Sequence, residues 1–200
     1  MAFPNKQLYF TPGIDRGLVR LSEEARYSVS HWKDAREIAS RIVRLLPADR
    51  RANIIDGTAC VGGNTVELAK VFPHVIAVDI VPEHVDMLEH NLSLYSLGGG
   101  VTCLVGDIVL VLDDVLSAHD TNVLFLDPPW GGPDYKETDD DIYLSGESIT
   151  SLVGRWHPKI DVIVLKVPNQ FDTSALEAAV DGGVESYTMR KYKCVIIRSP

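Results

Sequence analysis

Cysteine is scarce in this chain of 200 residues: Cys60, Cys103 and Cys194 are an odd number, far apart, with no C-x-x-C pair. That excludes a disulfide framework and a thiolate zinc site and fits a reducing compartment. No apolar run approaches the length of a membrane span, and Met1 to Gln7 lacks the apolar core of a secretory leader. An intracellular protein, in nucleus or cytoplasm, is the expectation. Internal repeats and low-complexity segments are missing too, and so is a G-x-G-x-x-G phosphate cradle. A nicotinamide oxidoreductase is thereby disfavoured. What remains, 46% hydrophobic and 24% charged residues, suffices for one enzyme core with a short addition ahead of it. We place a basic extension and helix at 1–51 and the core at 52–200, and expect a monomer.

The core alternates between two periods. Trp32, Ala35, Ile38, Ala39, Ile42, Val43 and Leu46 recur at helical spacing, with Ser30 as the expected N-cap. Short apolar strands are expected at Asn53–Asp56, His74–Val78, Val101–Val105, Val123–Leu126, Asp161–Val167, Val184–Met189 and Tyr192–Arg198. Helices are expected between them at Thr65–Val71, Pro82–Tyr95, Ile108–Ala118, Ile142–Trp156 and Thr173–Val180. Strands alternating with helices predict an α/β fold, a doubly wound, mainly parallel seven-stranded sheet. The closing hairpin predicts an antiparallel edge strand, and the C-terminal strand is expected to run antiparallel. The acidic run Thr138 to Asp141 reads as a solvated loop or a lid.

Ligands of such a sheet bind beyond the carboxyl ends of its strands. There the chain carries Gly57-Thr58-Ala59-Cys60-Val61-Gly62-Gly63-Asn64 after the first strand, where glycines let backbone amides approach a small nucleoside ligand. Asp79 ends the second strand, 23 residues past Asp56, where an acid can chelate ribose hydroxyls. Asp107 follows the third and either accepts a hydrogen bond from an adenine amine or caps the next helix. Cys60 in the glycine loop reads as a small packing residue rather than a nucleophile.

The most specific segment is Asp127-Pro128-Pro129-Trp130, continuing through Gly131, Gly132, Pro133, Asp134 and Tyr135. A D-P-P-aromatic turn at a strand's end suits methylation of a planar exocyclic amine. Its acceptor oxygens hold an NH₂ group while the aromatic face holds the ring. The plain alternative is a loop in which two prolines stop a strand and the tryptophan packs on the surface.

Taken together, D-G-T-A-C-V-G-G-N, the Asp79 and Asp107 strand ends, D-P-P-W-G-G-P-D-Y and the upstream Arg26-Tyr27-Ser28-Val29-Ser30 resemble S-adenosylmethionine-dependent methyltransferases. The resemblance is closest to the trimethylguanosine synthase family of RNA cap guanine-N2 methyltransferases and runs from about Leu8 to the C-terminus. It implies S-adenosylmethionine bound by Asp56, Thr58, Ala59, Gly62, Asn64, Asp79, Ile80, Asp107 and Asp127, without a metal. It implies a 7-methylguanosine-capped RNA or cap analogue as substrate, with Asp127, Pro128 and Trp130 at the reacting amine. Tyr27, Trp130, Lys6, Arg16, Lys33, Pro168 and Asn169 would contact the substrate, Tyr27 covering either the base or the methionine moiety. Some members of the family carry serine where Asp127 stands, so a carboxylate there is not indispensable to the chemistry.

A net charge of -9 is unusual for a protein that meets RNA. Its distribution is uneven: Met1 to Arg51 carries ten Lys or Arg against six Asp or Glu, and the remainder nine against twenty-two. The N-terminal segment is therefore the expected phosphate contact, through Lys6, Arg16, Arg20, Arg26, Lys33 and Arg36, whereas Arg41 and Arg44 read as a solvated helix face. Arg190-Lys191-Tyr192-Lys193 faces RNA or guards a sheet edge. Alternative activities are an adenine-N6 or internal guanine-N2 methyltransferase on DNA, tRNA or rRNA, and, in another class, a cap-binding module without catalysis.

Overall fold

The computed structural model describes residues 9–23, 25–47, 53–119, 123–130 and 141–200. It has two compact units, Met1–Ile108 and Val109–Pro200. Lys6, the residues from Gly131 to Tyr135, and Thr138 to Asp140 lie outside the described residues, as does the side chain of Tyr27.

In the first unit, α1 (Ala25–Ser28) and α2 (Trp32–Leu45) precede β1 (Asn53–Asp56), α3 (Gly63–Leu68), β2 (His74–Asp79), α4 (Pro82–Leu94) and β3 (Val101–Val105). The α2 helix buries Ala35, Ile38, Ala39 and Ile42, the stripe its periodicity predicts. Its N-cap is His31, whose Nδ1 accepts the Lys33 amide at 3.1 Å. Ser30, the expected cap, is buried one position too early. The helix starts at Trp32, so only a side chain at position 31 reaches the free amides of its first turn. Pro82 opens α4 at a position where a missing N–H costs nothing. Parallel pairing sets Asn53 opposite His74 in β1–β2 and Asp79 opposite Val105 in β2–β3.

In the second unit, α5 (Ile108–His119), which begins at the unit boundary, is followed by β4 (Val123–Leu126), β5 (Tyr143–Leu144), β6 (Glu147–Ser148), α6 (Ile149–Trp156), β7 (Val162–Pro168), α7 (Ser174–Ala179), β8 (Gly183–Thr188) and β9 (Tyr192–Arg198). The expected helix from Ile142 is half hairpin. Ser145 (φ 53°) and Gly146 (φ 82°) are both left-handed, and they join β5 to β6 as a two-residue turn. Ser148 then caps α6 by accepting the Ser151 amide.

Seven strands form one sheet in the order β3-β2-β1-β4-β7-β9-β8. The C-terminal strand runs antiparallel as expected, and the hairpin supplies the edge: β9 pairs with β7 on one side and with the edge strand β8 on the other. Burial explains the placement. Every residue of β7 is buried and β9 is nearly so, whereas β8 has only exposed and half-buried residues. The apolar strand takes the interior and the polar one the rim. Among the described residues no helix is long and apolar enough to cross a membrane.

Candidate functional site

The glycine loop of the first unit is held from below. Ala59 donates its amide to the Val78 carbonyl and Gly62 to the Ala59 carbonyl, each at 2.9 Å. Cys60 adopts φ 48° and Gly62 φ 95°, left-handed conformations that tighten the turn before α3. A Cβ on Gly62 would come within 2.6 Å of Leu88 Cδ1, and one on Gly63 within 2.6 Å of Val29 Cγ1. The smallness of both glycines thus serves close packing of the loop against α4 and against the segment before α2. Asp56 is fully buried and accepts the Thr65 hydroxyl at 2.7 Å, pinning α3 to the end of β1. Thr58 and Asn64 are half-buried.

Asp79 works harder than the sequence suggests. Its Oδ2 accepts the Cys60 amide at 2.8 Å, and its Oδ1 accepts the Val81 amide at 3.0 Å and lies 3.2 Å from His84 Nδ1. His84 Nε2 is in turn 3.0 Å from Ser22 Oγ, which accepts the Ala25 amide. The carboxylate therefore orders the glycine loop, the start of α4 and, through His84, the segment leading to α1. Charge-assisted bonds of this kind are the strong ones. Oδ2, with a single amide bond, keeps acceptor capacity for a ribose hydroxyl. Beside it Ile80 is 59% exposed and Val105 56%, an apolar surface suited to an adenine face. Asp107 is half-buried immediately ahead of α5, a position compatible with either role assigned to it. These acceptors and apolar faces fit a nucleoside ligand such as S-adenosylmethionine.

Asn91, which no motif marks, is another organiser. Fully buried, it exchanges hydrogen bonds with the Arg20 amide and carbonyl and donates to the Val61 carbonyl at 2.8 Å. It ties the N-terminal segment to the glycine loop. Its one sequence signal is a polar residue three positions after core Leu88 on an amphipathic helix.

The basic residues of this unit divide by exposure. Lys33, Arg20 and Arg36 are exposed, while Arg16 and Arg26 are half-buried. Arg36 is already committed to Glu67 at 3.3 Å and to Thr11 at 3.0 Å. Arg36 and Lys33 also lie over the Trp32 ring, at 5.0 and 5.5 Å from its centroid. Arg41 pairs with Glu37 on the outer face of α2, in line with a solvated face.

In the second unit the D-P-P-W turn leaves β4. Asp127 is half-buried, Pro128 buried, and Trp130 half-buried. Sequence reasoning passed over their central partner. Lys166, 4% exposed within β7, extends its ammonium to 2.6 Å from Asp127 Oδ2. The same ammonium lies 5.1 Å from the Trp130 ring centroid and 4.5 Å from that of Tyr192. The Trp130 indole donates to the Lys166 carbonyl at 3.2 Å. Pro168 closes β7, buried opposite Tyr192, and Asn169 is exposed just beyond it. The signal was a lysine inside the run Val162-Ile163-Val164-Leu165-Lys166-Val167, since buried lysines need a partner. Arg190 and Lys191 are exposed at the turn between β8 and β9.

Residues 51–197 match the family described as RNA cap guanine-N2 methyltransferase. The trimethylguanosine synthase of Schizosaccharomyces pombe is 34% identical over 141 residues, which is 70% of this chain and 53% of that protein. That of Saccharomyces cerevisiae is 27% identical over 170 residues, 83% of this chain and 53% of that one. The chain thus spans about half the length of these relatives. Among solved structures, a Thermus thermophilus 16S rRNA N2 G1207 methyltransferase in complex with AdoMet and guanosine superposes with a TM-score of 0.60 at 15% identity. It covers 83% of this chain and 43% of its own. A precorrin-6y C5,15-methyltransferase from Geobacter metallireducens gives a TM-score of 0.60 at 16% identity, covering 93% of this chain and 95% of its own. At such identities these structures speak for the fold, the Rossmann-like sheet of methyltransferases. The methyl donor of the matched family is S-adenosylmethionine, in agreement with the nucleoside-suited loop. By fold and by the match across 51–197, the chain belongs to the RNA cap guanine-N2 methyltransferase family.

Proposed function

We propose that this protein methylates the exocyclic N2 of a 7-methylguanosine RNA cap, giving 2,7-dimethylguanosine and, with a second transfer, 2,2,7-trimethylguanosine. The observation that carries this reading is an acceptor and an aromatic ring, Asp127 and Trp130, anchored together at the end of β4. It is supported by the family match across 51–197.

S-adenosylmethionine supplies a methyl group on a positively charged sulfur. Thr58, Ala59, Gly62 and Asn64 would line its site, Asp79 would accept the ribose hydroxyls, and Ile80 and Asp107 would meet the adenine. Asp56 would act by holding the loop through Thr65. The guanine N2 lone pair is delocalised into the ring, so the protein's task is chiefly alignment, a contribution of about 7–11 kcal/mol when the geometry is right. Asp127 and the Pro128 carbonyl would accept hydrogen bonds from the N2 N–H groups and stabilise the charge that develops there. The proton passes to water afterwards, with no obligatory base. The base stacks on the Trp130 face turned away from the Lys166 ammonium, with Tyr27, Pro168 and Asn169 as further contacts. A cationic 7-methylguanine gains about 0.5–2 kcal/mol over plain guanine from that stacking. Lys6, Arg16 and Lys33 meet the cap's phosphates.

Methyl transfer to 7-methylguanosine triphosphate, followed by mass analysis of the nucleoside, tests the reading. Mono- or dimethylation at N2, with a clear preference over guanosine triphosphate, supports it. Equal use of both, or methylation of adenine in DNA instead, overturns it. Cap binding without any binding of labelled S-adenosylmethionine would identify a cap-binding module.

A further inference from the structure

We propose that Lys166 is a positioning residue, which sets the D-P-P-W turn by gripping both of its ends. This rests on the proposed reading of that turn as the amine site. The turn has an unusual structural problem. Pro128 and Pro129 have no N–H, so neither can be fixed by donating to a neighbouring strand. Beyond the packing of buried Pro128, its orientation leans on the residues that flank the prolines. Both flanks end on one residue: the Lys166 ammonium holds the Asp127 carboxylate at 2.6 Å, and the Lys166 carbonyl receives the Trp130 indole N–H at 3.2 Å.

Strand register explains how a single residue does both. Parallel pairing sets Leu126 opposite Leu165, so each strand's next residue is Asp127 or Lys166. On the other side of β7, Pro168 faces Tyr192, two positions from Lys166 and on the same face of the strand. The Tyr192 ring thereby lies under the ammonium, 4.5 Å from centroid to Nζ, and 6.2 Å from the Trp130 ring. The lysine side chain is clamped between a carboxylate and two rings. An apolar residue would pack an otherwise apolar strand at lower cost, because burying an ammonium carries a large desolvation penalty. Retention of a charge here fits a requirement for geometry rather than for stability.

The test compares wild type, Lys166→Met, Asp127→Asn and the double variant on 7-methylguanosine triphosphate, with S-adenosylmethionine affinity and melting temperature measured for each. Lys166→Met should lower kcat/KM by about 100-fold, the penalty of misplacing a reacting group by about 1 Å, with the loss in kcat. Affinity for S-adenosylmethionine should fall far less than kcat, since the glycine loop and Asp79 keep all their contacts and only the Asp127 contact is disturbed. The double variant removes both charges at once and so should fold even where Lys166→Met does not. If Lys166 acts through Asp127, the double variant will be no slower than the worse single variant. Losses that multiply, or a Lys166→Met protein as active as wild type, would overturn the proposal. If wild type instead methylates another exocyclic amine, the cap reading fails and the same four proteins are compared on that substrate. The coupling between positions 127 and 166 then still decides the role of Lys166.

Discussion

Replacement of Asp79 by alanine separates the contacts this carboxylate makes within the fold from the ligand role proposed for it. The first is internal: Asp79 accepts the Cys60 and Val81 amides at 2.8 and 3.0 Å, and Cys60 sits at φ 48° in the turn this bond holds. A partly buried amide left without its acceptor costs about 1–3 kcal/mol. In a chain of this size each kcal/mol moves the melting temperature by about 2–4 °C, so the ligand-free variant should melt roughly 2–12 °C lower. The second task is ligand binding. Loss of hydrogen bonds from ribose hydroxyls to a charged acceptor costs about 1.5–3 kcal/mol, which is roughly a 10- to 150-fold rise in Kd for S-adenosylmethionine. Calorimetric titration and thermal melts of the same sample read the two effects independently. A lower melting temperature with unchanged cofactor affinity would leave Asp79 as a loop staple only and refute its ligand role. Asp79→Asn, which keeps one acceptor oxygen, should fall between wild type and alanine. Asp107→Asn should be milder still, because its amide oxygen still accepts from an adenine amine. A larger effect at Asp107 than at Asp79 would reverse the ranking of the two.

Three further outcomes are expected. Trp130→Ala should abolish most of the preference for a 7-methylguanosine cap over a guanosine cap, a ratio of roughly 2- to 30-fold if cation-π stacking sets it, while Trp130→Phe keeps part. Equal losses of kcat/KM on both caps would show a platform indifferent to charge. Gly62→Ala should destabilise the protein by about 1–3 kcal/mol in chemical denaturation, since φ 95° strains an L-residue and the new methyl meets Leu88 Cδ1 at 2.6 Å; wild-type stability would show that the loop relaxes freely. The Tyr95 phenol, which donates to the Thr11 carbonyl, is pushed up to about 12 by burial, with the charge of Glu67 adding to the shift. Its folded-state preference for the neutral form contributes fully below pH 10 and is lost as pH rises toward 12. The melting temperature should fall across that window in wild type and fall less steeply in Tyr95→Phe.

The chain's own pattern revealed the elements whose environment is periodic. The α2 stripe, the buried β1, β2 and β4, and the Pro82 start of α4 followed directly from spacing and composition. Long-range pairing is different in kind. That β9 would lie between β7 and β8 depends on which strand is apolar enough to be covered on both sides, a comparison of strands rather than a property of either. The β5–β6 hairpin was signalled by Ser145-Gly146 but overridden by the helical pattern of the residues after it. At the site, motifs located the glycine loop, Asp79 and the D-P-P-W turn. The residues that hold them, Asn91, His84 and Lys166, belong to no motif, because a supporting contact needs only a side chain of the right polarity at the right point in space.

The Asp127–Lys166 pair changes how the carboxylate can act. The buried ammonium lies 2.6 Å from one carboxylate oxygen and fixes the orientation of the other. A serine at 127 would take from Lys166 the carboxylate it meets at 2.6 Å, within a strand that is otherwise apolar. In this chain the aspartate and the lysine therefore form one device. Substituting either alone disturbs a contact of the other, and their joint replacement tests what the reaction needs from the turn itself.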